Sequence, residues 1–415
     1  MTRAGPVGVS LLRSISVRHL IVALGAVALS WLCVSVGAAN LFRARDPLLA
    51  MRFAPFDGQA MAMAAERGII AASFNPGLTA DVELLARQAL ARDPTLVPAW
   101  RSLAAARDIQ RRRADATALF LFTERLSRRD VPTQLWLIEE RVAANDIPGA
   151  LRHYDIALRT SSRTGSFLLP ILAAATSENA VIVPLVAILR TRPAWRDDFL
   201  YELSQRAPSA PNLVAIVEGI SGQGDLPPST MALMIDRLVG QRQFDEAWRL
   251  YALARPAQAR ERLLRNAGFE APDQGYAFEW RLESSANLGA QPVAVAADGT
   301  GVALAIRADS GEGGVAARQL LRLPPGLYRI AARTGSLPEV EPARMSWALA
   351  CAAQPPRDLA PGETQAAGRS TPGPAVFQVP AADCAAQWLE LRVRAGTETR
   401  QVGGWIDDVQ IRRAQ

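Results

Sequence analysis

Two stretches written 34 residues apart constrain this chain more than anything else in it. Ala116 and Phe120 recur as Ala150 and Tyr154. A small residue followed one turn later by an aromatic suits two antiparallel helices in close contact, because the alanine lets the backbones approach and the ring fills the space beside it. Asp93 and Pro94, followed by Ala99, Trp100, Leu103 and Ala104, stand where one helix pair hands over to the next. The proline stops one helix before the next begins. Stacked pairs of this kind present a concave surface to partners and argue against catalysis.

The period resembles that of tetratricopeptide repeats. The resemblance covers about residues 80 to 160, with Trp100, Leu103, Ala116, Phe120, Ala150 and Tyr154 as the repeat framework. Apolar periodicity predicts helices over Phe56 to Ala72, Asp81 to Arg92, Trp100 to Gln110, Ala114 to Leu126, Thr133 to Ala144 and Pro148 to Arg159. Beyond Thr160 the strict period fades, although helical patterns continue, broken by Pro193 and Pro208. A hairpin-like echo returns at Phe244, Ala247, Trp248, Tyr251 and Ala254, 97 residues after Ala150 and so out of phase. The middle reads as a degenerate solenoid.

Near the N-terminus, Arg3, Arg13 and Arg18 precede twenty uncharged residues, Leu20 to Ala39. At about 1.5 Å per residue that run matches the thickness of a bilayer's hydrocarbon core. Its length favours an uncleaved anchor over a secretory signal, for which Val36-Gly37-Ala38 offers a cleavage site. Arg43, Arg45 and Arg52 follow the span and dilute the charge asymmetry that sets orientation. Cysteine usage bears on that orientation: Cys33 lies in the span, whereas Cys351 and Cys384 share the C-terminal region. The latter pair reads as a disulfide formed in an oxidising space, the alternative being two buried thiols. This favours the bulk of the chain outside the cytoplasm. Abundant Ala, Arg, Gly and Pro with no lysine suits a GC-rich bacterial genome, hence a single-pass inner-membrane protein with a periplasmic body.

At Asn266 to Glu270 the apolar period changes from about 3.6 to 2, which marks a domain boundary. Eight alternating segments follow, from Phe278 to Ile411, punctuated by Pro324-Pro325-Gly326 and Pro372-Gly373-Pro374. This pattern predicts a two-sheet antiparallel sandwich, with a jelly roll as the expected version. The expected organisation is therefore a cytoplasmic segment at 1–18, an anchor at 19–41, a helical solenoid at 50–262 and a β-sandwich at 265–413.

Asn266 to Glu270, Phe278-Glu279-Trp280, the run Pro325 to Ile330 and Trp405 to Val409 resemble the framework of family 4/9 carbohydrate-binding modules. With the anchor and the repeats, the whole chain resembles bacterial envelope proteins associated with exopolysaccharide functions. The resemblance implies a glycan-binding sandwich and a structural calcium ion held by Glu270 and Asp408, whose hard oxygens suit that ion. Ala267 departs from the usual residue there. Tyr276, Trp280, Trp347, Trp388 and Trp405 are the aromatic rings available for stacking on sugars. Trp347 and Trp388 alternate with apolar neighbours as core residues do, whereas Tyr276 lies in a polar stretch; Tyr276 and Trp280 are the glycan-binding candidates.

The absence of lysine removes Schiff-base chemistry and the phosphate-loop motif, so Gly219, Gly222 and Gly224 mark a linker. His153 has no second histidine or cysteine at ligand spacing. The Asp197-Asp198 and Glu139-Glu140 pairs sit on predicted helices with diverging side chains. Arg111-Arg112-Arg113 reads as a solvated turn. A net charge of +6 suits anionic partners, and a periplasmic body directs it toward acidic polysaccharide or lipid, not nucleic acid. The expectation is a non-enzymatic scaffold, without cofactors beyond that calcium, that binds envelope proteins and a glycan or second subunit in cell-surface polysaccharide biosynthesis or export. A polysaccharide-cleaving or -modifying enzyme is the alternative.

Overall fold

The computed structural model describes residues 17–222, 226–260, 263–272, 274–285, 287–294, 301–309, 313–337, 340–353, 357–359, 374–394 and 401–414. Arg3, Arg13, Gly224, Pro372 and Gly373, and nearly all of the segment 1–18, lie outside the described residues. The chain divides into two compact units, Met1–Ser161 and Ser162–Gln415.

Among its described residues the first unit is helical. It runs through α1 (Val17–Arg43), α2 (Pro47–Phe53), α3 (Gly58–Phe74), α4 (Thr79–Arg92), α5 (Val97–Ile109), α6 (Arg113–Leu126), α7 (Val131–Ala143) and α8 (Ile147–Thr160). Among the described residues α1 is the one helix long and apolar enough to cross a membrane. Its last turns are held by protein: Ala39 is buried with Ala50, Ala54 and Ala60, and Arg43 pairs with Asp57 at 2.8 Å. The helix continues unbroken through Val36, Gly37 and Ala38.

Sequence chemistry explains the helix boundaries. Asp46, Asp57, Asp130 and Asp146 each accept a hydrogen bond from a first-turn backbone N–H, and proline stands in the first turn of α2, α5, α7 and α8. Helices α5 and α7 begin 34 residues apart, as do α6 and α8. Both turns between paired helices carry a left-handed residue, Arg111 (φ 61°) and Asn145 (φ 56°). Both are closed by the same long backbone bond, from Arg112 N–H to Arg107 O at 2.9 Å and from Asp146 N–H to Arg141 O at 2.8 Å.

Ala116, Ala150 and Leu103 are buried, Phe120 stacks on Trp136 at 4.1 Å, and Trp100 meets Phe122 edge-on at 4.7 Å. Tyr154 is half-buried, which raises its hydroxyl pKa. Polar ties join neighbouring helices: Arg107 of α5 to Glu83 of α4 at 2.8 Å, and the Trp136 indole N–H of α7 to Asp108 of α5 at 2.9 Å. Arg113 is engaged too, spanning Asp108 and Glu140 over the Trp136 ring, so the arginine turn is not wholly solvated.

The second unit opens with α9 (Ser162–Ala175), α10 (Asn179–Leu189), α11 (Arg196–Arg206), α12 (Ala210–Ile220), α13 (Pro228–Gly240) and α14 (Phe244–Ala254). Alternate helices pack in two rows, α9 on α11 on α13 and α10 on α12 on α14. Gly219 lies within α12 and not in a linker; a side-chain carbon there would stand 2.8 Å from Val186. The out-of-phase echo is a third copy of the same turn. Arg242 is left-handed (φ 62°), Gln243 N–H bonds to Leu238 O at 2.8 Å, and Ala247 and Tyr251 are buried where Ala116 and Phe120 are in the first hairpin.

Two sheets follow. One has the order β1 (Arg281–Leu282), β4 (Gly313–Leu321), β10 (Gln387–Arg394), β7 (Arg344–Cys351), β8 (Arg357–Leu359). The other has the order β2 (Leu288–Ala294), β3 (Val302–Ala308), β11 (Val402–Arg413), β5 (Gly326–Gly335), β9 (Ala375–Val379). All these pairings are antiparallel, and short β6 (Glu341–Pro342) adds a parallel pairing to β11. Period-2 alternation puts Leu389, Leu391 and Val393 of the first sheet in one core with Leu304, Ile306, Ile330 and Phe377 of the second. Strand β2 escapes the alternation test because Pro292 and Gly289 interrupt it, which its edge position tolerates. Cys351 and Cys384 form a disulfide across 33 residues of chain, tying the end of β7 to the approach to β10.

Candidate functional site

The aromatic candidates define a seam inside the second unit. The segment Phe278 to Trp280, expected to begin a strand, is a turn ahead of β1. Phe278 and Glu279 of this turn, with Tyr276, pack onto α14. Tyr251 lies 5.3 Å from Phe278 and 5.9 Å from Tyr276, and Trp248 meets Phe278 edge-on at 5.2 Å.

Glu279, 4% exposed, accepts hydrogen bonds from the Tyr251 hydroxyl at 3.0 Å and the Arg255 guanidinium at 2.9 Å. Burial and the Glu279 charge raise the pKa values of Tyr251 and Tyr276, so both phenols stay neutral. The expectation that Tyr276 and Trp280 offer exposed rings is overturned: they are 3% and 2% exposed. Tyr276 fills the helix–sheet seam, and Trp280 lies in the sheet core against Phe269 and Trp347, its indole N–H bonded to Asn266 O at 3.1 Å.

At the edge of this seam is a cavity of about 520 Å³. Trp248, Arg265 and Arg322 line it, with Pro324, Pro380 and Asp383 among its other walls. The Arg265 and Arg322 guanidinium carbons lie 4.6 Å and 5.7 Å from the Trp248 ring centroid. Arg265 is 2% exposed, and the carboxamide of buried Gln319 holds its backbone by accepting from its N–H at 3.0 Å and donating to its carbonyl at 2.9 Å. Gln387 fixes the opposite wall, accepting from Leu323 N–H at 2.9 Å and donating to Cys384 O at 2.6 Å. Arg322 also pairs with Asp245. Two guanidiniums on one aromatic, with Asp383 the lining carboxylate among the described residues and Asp245 behind Arg322, make a pocket that can take an anion with an apolar body. Sequence reading named Trp248 for its place in a helix but not for this site, since the three residues come from separated segments.

Of the residues named for calcium, Glu270 stands near Asp407: a side-chain carbon on Gly268 would lie 3.4 Å from Glu270 Oε1 and 3.5 Å from Asp407 Oδ1. Asp408 sits at a bulge with φ 48° and accepts from Gln410 at 2.9 Å. Asp407 faces Arg333 at 3.5 Å, and no group of three or more His, Cys, Asp or Glu that could hold a metal occurs among the described residues.

Of the remaining aromatics, Trp347 is buried, half-buried Trp388 lies under Arg318 at 5.0 Å, and Trp405 covers Gly335. His153 is buried, bonded to Gln134 at 2.7 Å. No protein-family model matches the chain, and no curated protein matches it.

Proposed function

We propose that this chain is a membrane-anchored scaffold of the bacterial inner membrane whose periplasmic body binds an envelope protein through its tetratricopeptide-like hairpins. The sandwich, jelly-roll-like and similar in framework to carbohydrate-binding modules, takes a glycan or a second subunit during cell-surface polysaccharide biosynthesis or export. The observation that carries the reading is the repetition of one hairpin design at Arg111–Ala116 and Asn145–Ala150, with a left-handed residue at the same position, the same closing bond and a buried alanine. Repeated pairs build surfaces for docking.

The apolar α1, unbroken across the would-be cleavage site and packed at its end on α2 and α3, supports an anchor. The Cys351–Cys384 disulfide fits an oxidising compartment. The Trp248–Arg265–Arg322 cavity supplies the glycan-facing candidate, with acidic polysaccharide as the matching class.

Full-length protein purified from solubilised membranes tests both halves. Envelope partners should co-purify with the intact chain and be lost when residues 97–160 are deleted. Incubated with the host's own polysaccharide, the protein should retain the polymer without releasing oligosaccharide. Release identifies the cleaving alternative, and identical co-purifying proteins with and without the hairpins end the scaffold reading.

A further inference from the structure

Where the apolar helix meets the first unit there is a second cavity, of about 410 Å³, whose lining changes character along α1. Val36 and Ala39, from the last turns of the uncharged run, form one wall with Phe56, and Arg43 follows one turn later. Arg92, the last residue of α4, enters from another element; it is exposed and makes no ion pair among the described residues. Two carboxylates also line the cavity, and both are ionised. Asp57 caps α3 through the N–H groups of Gln59 and Ala60 and pairs with Arg43, while Asp93 accepts from Thr95, which lowers its pKa.

The surroundings share this composition. Leu41, Leu48 and Phe53 are 70%, 63% and 39% exposed, and Arg45 and Arg52 are exposed without an ion pair among the described residues. Leu20 to Phe42 spans about 33 Å of helix, so a bilayer centred on it places these residues at the hydrocarbon–headgroup boundary.

We infer that this cavity is a site for an anionic phospholipid, with an acyl chain along Val36, Ala39 and Phe56 and the phosphate between Arg43 and Arg92. The inference rests on the anchoring reading of α1, since only a bilayer crossed by that helix brings lipid to this depth. An apolar wall ending in cations matches the order of groups in a phospholipid, and each arginine near a membrane surface favours anionic lipid by about five-fold. Asp57 is held by Arg43, and Arg92, without an ion pair among the described residues, is the cation open to a ligand.

Full-length chain reconstituted in vesicles of equal phosphatidylcholine and phosphatidylglycerol, then extracted in mild detergent, provides the test through its retained lipids. Phosphatidylglycerol should be enriched about five-fold over the vesicle ratio, with Arg92→Ala removing the enrichment and Arg92→Lys keeping it. Equal retention of both lipids by a chain that resists alkaline carbonate overturns the site and leaves the anchor standing. Unchanged enrichment in Arg92→Ala, or loss of enrichment with excess inorganic phosphate, also overturns it. Release of the wild-type chain by carbonate ends the anchoring reading and this inference with it.

Discussion

The Tyr251 hydroxyl donates a 3.0 Å hydrogen bond to Glu279, joining the last helix of the second unit to the turn that opens its sheets. Glu279 is a buried carboxylate with a second donor in Arg255, so helix and sheet share a charged, desolvated link. Removing one partner of such a pair leaves the other buried without compensation. Glu279→Ala should destabilise the second unit by about 3 kcal/mol or more, and Tyr251→Phe by about 2 kcal/mol. Urea unfolding of the full chain followed by tryptophan fluorescence checks both; an unchanged midpoint for Glu279→Ala contradicts the link.

Ala116, Ala150 and Ala247 hold equivalent places in three hairpins, each with almost no exposure. Enlarging any of them to leucine should cost about 1–3 kcal/mol through overpacking, while the same change at exposed Ala118 should be nearly neutral. Thermal unfolding of the four variants provides the comparison.

The Cys351–Cys384 bridge closes a loop across 33 residues. Replacing both cysteines by serine should lower the stability of the second unit by about 3 kcal/mol by enlarging the unfolded ensemble. Reductant should shift the wild-type urea midpoint the same way and leave the double variant unmoved.

His153 sits among Gln134, Glu124 and Arg152, and desolvation lowers its pKa below the ordinary 6.5. The unfolded chain therefore takes up its proton at higher pH than the folded chain. Stability from this site is present above about pH 6.5 and is lost as pH falls toward the lower folded value. The fall in melting temperature from pH 7.5 to pH 5 should be smaller in His153→Gln than in wild type.

Arg322 and Arg265 face the Trp248 cavity. Arg322→Ala should weaken binding of an acidic polysaccharide about tenfold, with neutral glucan unaffected and wild-type binding falling as salt rises. Equal retention of acidic polymer by both proteins removes this cavity as the binding site.

Local rules made the helices readable. Ala116, Phe120, Ala150 and Tyr154 announce their partners by spacing, the aspartate caps and prolines fix where helices start, and alternation marks most of the strands. The twenty uncharged residues and two distant cysteines likewise needed only counting. Tertiary structure decided the rest, because burial depends on what arrives from elsewhere in the chain. Tyr276 looks solvated beside Gln274 and Gly275 until α14 covers it, and Asp407 reaches Gly268 and Glu270 from the far end of the sandwich sequence. The cavity at Trp248 joins arginines 17 and 74 residues away along the chain, a proximity that no local period encodes and only the packed fold creates.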